Sequence, residues 1–318
     1  NVADTTLERV GRAELHASLP VQSQMRRCLL NDNGEVVTYL HATDSTKTDT
    51  GATADLTGAS GMAMVEIPEH YRKFEFDGSN ILALISAFPL PGFHKVRKVY
   101  RSAYEATVER STNKLASVVN TTADFRGGNN TAAWDDTYRS LLGRPATNIS
   151  LTNFRRYARN RGAAGLNDKG WNCDLYEAQL NTYWLFVIEY AQLNCQAAFT
   201  AQLTEEGYRQ GGLGNGVTTL ENGKWNIFNG YHPFIPCGIT NSLGNATGVV
   251  DYEMPEEYGA ALTVHVPSYR GIENPFGHVW SWTDGILVQA QSDADGAKHL
   301  FFRAADDNPA NFNSSNYN

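Results

Sequence analysis

The pattern of hydrophobic and polar positions is most regular in the middle of the chain. Apolar side chains recur at steps of three and four over residues 176–199, which predicts one long helix with Asp174 as its cap. The stripe is too apolar to face water, so we expect the helix to pack across a sheet, with Val187 and Ile188 buried and Glu189 nearer solvent. Its members are Tyr176, Leu180, Trp184, Val187, Ile188, Ala191 and Cys195.

A shorter helical pattern covers residues 150–160. Ser150 is a good N-cap residue, and Gly162 stands where a glycine often follows a helix. The pattern carries a cluster of arginines, for which a solvated or ion-paired helix face is a sufficient explanation. The arginines are Arg155, Arg156, Arg159 and Arg161.

Strand patterns dominate the first third of the chain. Two short apolar runs flank Asn33-Gly34 in residues 25–39, and Asn-Gly is the strongest short signal for a hairpin turn. Residues 41–61 and 125–134 are rich in small and polar side chains and are predicted to be exposed loops. Further strands are predicted at residues 62–67, 71–76, 100–108, 262–266 and 286–288.

Two tryptophans two positions apart mark residues 270–285. In an extended segment that spacing points both rings to one face, and such rings bury much surface at low entropic cost. We therefore expect Trp280 and Trp282 to be core residues on a strand rather than parts of a ligand site. Asp284-Gly285 is a turn pair after that strand.

The composition limits the classes of protein and partner. Of the 318 residues, 42% are hydrophobic and 19% are charged, which is typical of a globular protein with a sizeable core. The net charge of -8 leaves no basic excess to neutralise phosphates, so a nucleic-acid partner is not expected. No apolar run is long enough to span a bilayer, so membrane insertion is not expected either.

The sequence offers no recognisable catalytic or metal-binding set. The eight histidines occur singly, without an HExxH motif, and there is no GxSxG nucleophile elbow. His278 is the most notable of them, and we interpret it as a hydrogen-bonded structural residue. The four cysteines are far apart, without a CxxC pair, and are predicted to be buried free thiols. They are Cys28, Cys173, Cys195 and Cys237.

Two glycine-rich segments follow the long helical pattern, at residues 211–216 and 238–248. A phosphate-binding loop needs a strand before it and a helix opening with Lys-Ser or Lys-Thr after it, and neither segment has these. We therefore expect positive-φ turns packed against a core instead of a nucleotide site.

Six blocks of the sequence together resemble a known family. The blocks are residues 25–39, 64–72, 140–162, 211–217, 234–248 and 270–285. The signature positions of the last block are Arg270, Asn274, Pro275, Phe276, Gly277, Trp280, Trp282, Asp284 and Gly285. This last block resembles the signature of the formylglycine-generating-enzyme branch of the C-type lectin fold. More narrowly, the blocks resemble phage and prophage tail or receptor-binding proteins of gut bacteria, some of which are similar to targets of diversity-generating retroelements.

This resemblance implies an α+β fold with a particular organisation. Residues 1–19 are polar with scattered leucines, so we expect them to form an N-terminal arm, and we expect residues 20–110 to form a smaller β-rich region. Residues 111–318 form a C-type-lectin-like domain with a twisted antiparallel sheet, two main helices and long loops. In the resembled group a further C-terminal segment follows, so the resemblance implies that this chain stops short of it.

The implied function is that of a non-enzymatic phage structural or receptor-binding protein, an adhesin at the virion surface. Its implied partners are a host cell-surface receptor, protein or glycan, and other virion proteins. We also expect a homotrimer or a higher assembly, because phage receptor-binding proteins are commonly trimeric. The arm leaves apolar side chains available for a partner, namely Leu7, Val10, Leu15 and Leu19.

Two properties of related proteins are not carried over. Formylglycine-generating enzymes use a cysteine pair near the chain end, whereas the last cysteine here is Cys237. The order of Glu273, Asn274 and Pro275 differs from the Glu-Pro-Asn calcium motif of sugar-binding lectins, so no cofactor is expected, and calcium in Asn/Asp-rich loops stays a minor alternative. The alternative function is a carbohydrate-active enzyme on host surface glycans, suggested by the 11% of aromatic residues.

Overall fold

The structure is a computed structural model, and it describes residues 7–119, 124–129, 132–134, 143–162, 170–195, 199, 235–253, 263–277, 279, 281–290 and 300–304. Short, mostly antiparallel strands form most of it, with few helices, so the fold class is α+β as predicted. Within these residues no helix is both long enough and apolar enough to cross a membrane.

The elements are numbered in chain order. The helices are α1 (Ala13–Ser18), α2 (Leu151–Arg159) and α3 (Tyr176–Tyr190), with 3₁₀ turns at Gln22–Gln24, Ala132–Trp134 and Ile239–Leu243. The strands are β1 (Arg26–Leu30), β2 (Val36–His41), β3 (Asp44–Thr48), β4 (Met62–Ile67), β5 (His70–Phe76), β6 (Ile81–Ser86), β7 (His94–Val96), β8 (Val99–Ser102), β9 (Thr107–Glu109), β10 (Lys114–Ala116), β11 (Phe125–Arg126), β12 (Gly128–Asn129), β13 (Ala146–Thr147), β14 (Gly248–Glu253), β15 (Thr263–Tyr269), β16 (Ile272–Glu273), β17 (Ile286–Ala290) and β18 (Leu300–Ala304).

The largest sheet has the strand order β3-β2-β1-β4-β8, and each neighbouring pair is antiparallel. Its centre is the predicted hairpin of β1 and β2, whose turn places Gly34 at φ 79°, a conformation that favours glycine. The smaller sheets have the orders β6-β5-β7, β10-β9-β11, β12-β13, β14-β15-β16 and β17-β18.

One face of the large sheet packs against α3 and residues late in the chain. The main hydrophobic cluster joins Leu29 and Val65 of the sheet to Phe186 of α3 and Tyr269 of β15. The Phe186 ring lies 5.4 Å from the ring of Tyr269 and 5.1 Å from that of Phe276, measured between centroids. Residues on both sides of position 110 therefore share one core, and the domain boundary expected there stays a prediction.

The polar segment 41–61 is not the exposed loop that its composition predicts. It contains β3, and Ser45 and Leu56 are buried. Its polar side chains make local turns instead: Asp44 accepts a hydrogen bond from the Thr46 amide at 3.0 Å. Composition alone cannot distinguish such turn-forming side chains from solvated ones.

Two other segments also differ from their predictions. The strand expected at residues 100–108 is divided into β8 and β9, which belong to different sheets: β8 pairs with β4, whereas β9 pairs with β10 and β11. The segment 125–134 contains β11 and β12 in place of a surface loop. A Cβ on Gly127 would stand 1.8 Å from Arg144 O, so this glycine permits a close backbone approach.

The helix α2 follows its prediction closely at its start. Ser150 is the N-cap and accepts a hydrogen bond from the Asn153 amide at 3.3 Å. The C-cap residue is Asn160 in a right-handed conformation.

The helix α3 begins at the predicted residue but ends at Tyr190, where the next residue, Ala191, adopts a left-handed φ of 49°. Leu175 is its N-cap, and no side chain caps it, so the predicted cap Asp174 is wrong. The predicted face is also wrong: Val187 is buried, but Ile188 is only half-buried and Glu189 is buried. The buried positions of α3 are Ala178, Asn181, Thr182, Leu185, Phe186, Val187 and Glu189.

Candidate functional site

The signature block begins in a tight hairpin between β15 and β16. Arg270 and Gly271 form its two-residue turn with φ values of 50° and 88°, as a primed turn requires. The Arg270 guanidinium bonds the buried Glu189 carboxylate, with 3.2 Å between Nε and Oε2. This ion pair explains why α3 can turn a glutamate toward the core.

The next signature residues continue the packing of this hairpin. Asn274 has a left-handed φ of 49°, and its amide bonds Pro267 O at 2.9 Å. Pro275 is buried and Phe276 packs against the main hydrophobic cluster, whereas Gly277 is exposed. These positions therefore shape the backbone and the core.

A buried polar network lies beneath the same hairpin. Arg27 of β1 is fully buried and donates to Gly271 O at 2.6 Å, to Asn241 Oδ1 at 2.7 Å and to Thr240 Oγ1 at 3.0 Å. Thr240 Oγ1 in turn donates to Glu273 Oε2 at 2.8 Å, so the hydroxyl joins the two charged groups. The network ties the N-terminal hairpin to the signature block.

Glu273 is held by the turn that precedes β14. Its two carboxylate oxygens accept hydrogen bonds from the Gly238 and Thr240 amides at 2.8 and 2.7 Å. Burial raises the pKa of this carboxyl, while the Arg27 charge and these bonds lower it. Gly238 and Gly244 have positive φ here, as expected of the glycine-rich segment, and the Glu273 oxygens are directed inward rather than toward a ligand.

A second buried ion pair lies at the end of the block. Arg155 of α2 contacts both oxygens of Asp284, at 2.6 and 2.7 Å, and both residues are buried. The Asp284 backbone also bonds Tyr176 N at 2.7 Å and Asp174 O at 2.8 Å, which fixes the start of α3. The arginine cluster is thus ion-paired at Arg155, as one of the two predicted explanations requires.

The tryptophan prediction is wrong for Trp282. Its side chain is 47% exposed, and residues 281–283 form no strand. Its indole N–H donates a hydrogen bond to Ile149 O at 2.7 Å. This bond holds the ring at the surface, whereas the sequence pattern predicts it in the core. Trp280 and His278 lie outside the described residues. Gly285 is buried with φ 81°, in agreement with the predicted turn.

Three of the four cysteine thiols are buried, and burial raises their pKa. Cys28, Cys173 and Cys237 are buried, Cys195 is half-buried, and none of the four forms a disulfide, so the prediction of buried thiols is confirmed except for the exposure of Cys195. Burial, the main cause, raises the pKa of Cys28 and of Cys173 to about 12. Among the described residues, no three His, Cys, Asp or Glu side chains are grouped so that they could hold a metal ion.

A cluster of aromatic and charged side chains occupies the open end of the large sheet, on the face opposite α3. Arg26, Glu66 and Tyr100 form one row, because Arg26 pairs with Glu66 and Glu66 with Tyr100 in the strand register. Tyr39 lies beside this row and stacks under Arg26, whose guanidinium carbon is 3.4 Å from the ring centroid. We call this surface the tyrosine platform; its members are Arg26, Tyr39, Glu66, Lys98 and Tyr100.

One carboxylate organises the platform. The hydroxyls of Tyr39 and Tyr100 donate to the same oxygen of Glu66, at 3.1 and 2.9 Å. Burial is the first cause that raises the pKa of both phenols, and the bond to Glu66 raises it further, so both are protonated donors at neutral pH. The Lys98 ammonium lies 3.7 Å from Glu66 and 5.2 Å from the Tyr100 ring centroid.

The sequence carries little sign of this surface. Its five members come from β1, β2, β4, β8 and the residue before β8, and only strand register brings them together. No family model, curated protein or solved structure matches the chain.

Proposed function

We propose that this chain is a non-enzymatic receptor-binding module of a phage tail or virion, with a C-type-lectin-like fold of the formylglycine-generating-enzyme branch. The block resemblance motivates the class of protein. The observation that carries the binding role is the tyrosine platform, whose Arg26 and Lys98 are exposed and whose Tyr39 and Tyr100 are half-buried. It lies on a sheet whose other face packs on the main hydrophobic cluster. Tyr and Arg are enriched at recognition surfaces because they offer large, amphipathic contact area.

The platform suits recognition because its side chains are already held in place. Glu66 fixes both phenol rings, so little rotamer entropy remains to be lost when a partner binds. The exposed heads of Arg26 and Lys98 flank the rings and can bond a polar partner. The partner proposed is a host cell-surface receptor, either a protein or a glycan, and no cofactor is involved.

The contacts made by residues 270–285, the signature block, favour a structural role for it. Its charged members Arg270, Glu273 and Asp284 contact side chains and backbone of the chain itself. In this proposal they make the rigid scaffold, and the platform makes the contact. Assembly as a homotrimer, which would multiply weak contacts on a repeated cell surface, belongs to the same proposal.

The test is binding of the fluorescently labelled full chain to a panel of gut bacterial cells. Binding hot spots are enriched in tyrosine, and if Tyr39 and Tyr100 are hot spots of about 1 kcal/mol or more each, the double variant Tyr39→Ala/Tyr100→Ala should bind roughly tenfold more weakly or worse. Tyr71→Ala on β5 is the matched control, since it removes a partly exposed tyrosine elsewhere, bonded to Glu69 at 3.2 Å.

Equal binding by the double variant and wild type would remove the platform from the proposal. Absence of the protein from purified virions, together with no binding to any cell type, would reject the receptor-binding role itself. Release of reducing ends from host polysaccharide would instead support the carbohydrate-active enzyme.

A further inference from the structure

The sheet β6-β5-β7 has two edges of opposite character. The edge strand β7 has three residues, of which His94 and Lys95 carry polar or charged heads. Charged side chains and short length are the usual protection of an edge against pairing with another chain. The other edge, β6, has six residues with the sequence ILALIS, without charge or proline. It is the longest uncharged edge strand among the described residues.

The main chain of β6 has unused bonding capacity on its outer side. In an antiparallel pair every second residue turns its N–H and C=O away from the partner strand. No backbone hydrogen bond joins β6 to any described residue outside β5. This edge can therefore accept a further strand.

One face of the β5–β6 hairpin is covered at its base and open at its tip. At the base, Arg72 bonds Asn181 of α3, and the Phe74 ring lies 4.9 Å from that of Trp184. At the tip, Phe76 pairs with Ile81 on the same face, and they are 71% and 77% exposed. The apolar face thus extends beyond the helix that covers it.

We propose that β6 pairs antiparallel with β6 of a second copy of this chain about a two-fold axis. Such an axis keeps the same face of both hairpins on the same side, so paired residues must share parity along the strand. A register centred on Ala83 places Ile81 opposite Ile85 of the other copy, and Leu82 opposite Leu84. Every directly opposed pair within Ile81–Ile85 is then apolar, and no like charges meet.

This register also explains the exposed tip. Ile85 packs against the main hydrophobic cluster at the base of its own hairpin. Antiparallel pairing places the tip of one hairpin beside the α3-covered base of the other. Ile81 of one copy then contacts Ile85 of the other copy, which packs against the main hydrophobic cluster. A charged edge such as β3 or β14, which carry Asp44 and Asp251, offers no such match. The contact is isologous, so it joins copies in pairs: two copies by itself, or two trimers if the trimer of the receptor-binding proposal also forms. It does not depend on that proposal.

The full chain tests the pairing by light scattering at concentrations well above micromolar. Ile81→Lys should halve the mass of the wild-type particle and weaken association roughly tenfold or more, because it places a charged head against the apolar Ile85 of the other copy and every 1.4 kcal/mol is tenfold. Val37→Lys is the matched control, because Val37 is also an exposed apolar strand residue but lies on β2, between β1 and β3. It should leave the mass unchanged.

A second variant keeps the test decisive if Ile81→Lys folds poorly. Ala83→Cys puts two thiols at the axis, within the Cα separation that a disulfide accepts. Mild oxidation should link Ala83→Cys into dimers on a non-reducing gel, and Val37→Cys should stay unlinked. A wild-type monomer, or equal crosslinking of the two cysteine variants, would overturn the proposed pairing.

Discussion

Two regions of the molecule differ in which side chains they bury: one buries charged side chains, and the other exposes apolar ones. Beneath the β15–β16 hairpin, the charged side chains of Arg27 and Glu273 are buried. On the β5–β6 hairpin, the apolar side chains of Phe76 and Ile81 face solvent. Buried charge is tolerated only where geometry supplies partners, so the first region fixes how distant parts of the chain meet. Exposed hydrocarbon contributes little to folding and is available to a partner, so the second region is suited to contact.

The largest effect expected from this contrast is on Arg27. Arg27→Met should lower the free energy of unfolding by ~3–5 kcal/mol, because it leaves the buried Glu273 carboxylate without its cation. Arg26→Met, one residue earlier and exposed, should cost less than ~1 kcal/mol. Urea denaturation followed by tryptophan fluorescence measures both.

The double variant Arg27→Met/Glu273→Gln sharpens this prediction. Removal of both charges should recover part of the loss, because the unpaired charge causes most of it. A loss for Arg27→Met that matches the loss for Arg26→Met would show that the network contributes no more than a surface arginine.

The contrast also marks how far the sequence alone could go. The β1–β2 hairpin and α2 were predictable because Asn33-Gly34 and Ser150 are local signals that act through the nearest backbone groups. The face of α3 was not, because it is set by a partner 81 positions away, Arg270, which turns Glu189 inward. An apolar helix of this kind carries apolar side chains on more than one face, so a stripe at helical spacing does not fix its rotation, and tertiary contacts decide it.

The tyrosine platform could not be predicted from the sequence, because contacts between distant parts of the chain form it. Its residues are spread from Arg26 to Tyr100, and register across four strands brings them together. Trp282 shows the opposite failure, since a spacing of two predicted a core ring where a hydrogen bond to Ile149 holds an exposed one. Pattern arguments assign faces only after the element itself is known.

Truncation of an apolar side chain should cost more stability in the core than on the exposed hairpin. Leu185→Ala should cost ~2–5 kcal/mol, because Leu185 is fully buried in the main cluster. Ile81→Ala should change the stability of the monomer by no more than ~0.5 kcal/mol. Leu180 lies on the half-buried face of α3, so the loss of stability for Leu180→Ala should lie between those two values. Thermal unfolding of the three variants measures the order. A larger cost for Leu180 than for Leu185 would restore the face that the sequence predicted.

The smallest effect concerns His70, which stands where the exposed hairpin joins the core. Its side chain is buried, and Nδ1 lies 2.9 Å from Pro68 O, so the ring is neutral with Nδ1 donating. Burial, the main cause, and the nearby Arg72 charge lower the pKa of His70 below its ordinary value of 6.5. The unfolded chain then binds a proton more readily than the folded chain, so stability is lost as pH falls from 6.5 toward the lowered pKa.

Measurement of this loss requires a difference between variants, because many carboxylates also titrate in acid. His70→Asn keeps a donor near Nδ1 but cannot be protonated, so its stability should fall less steeply than that of wild type as pH is lowered from neutrality. One proton limits the difference to about 1.4 kcal/mol per pH unit. His94→Asn, at an exposed position on β7, is the control for the loss of a histidine as such. Parallel curves for His70→Asn and wild type would mean that the buried ring is protonated as easily in the folded chain as in the unfolded one, and that the hairpin base is open to water.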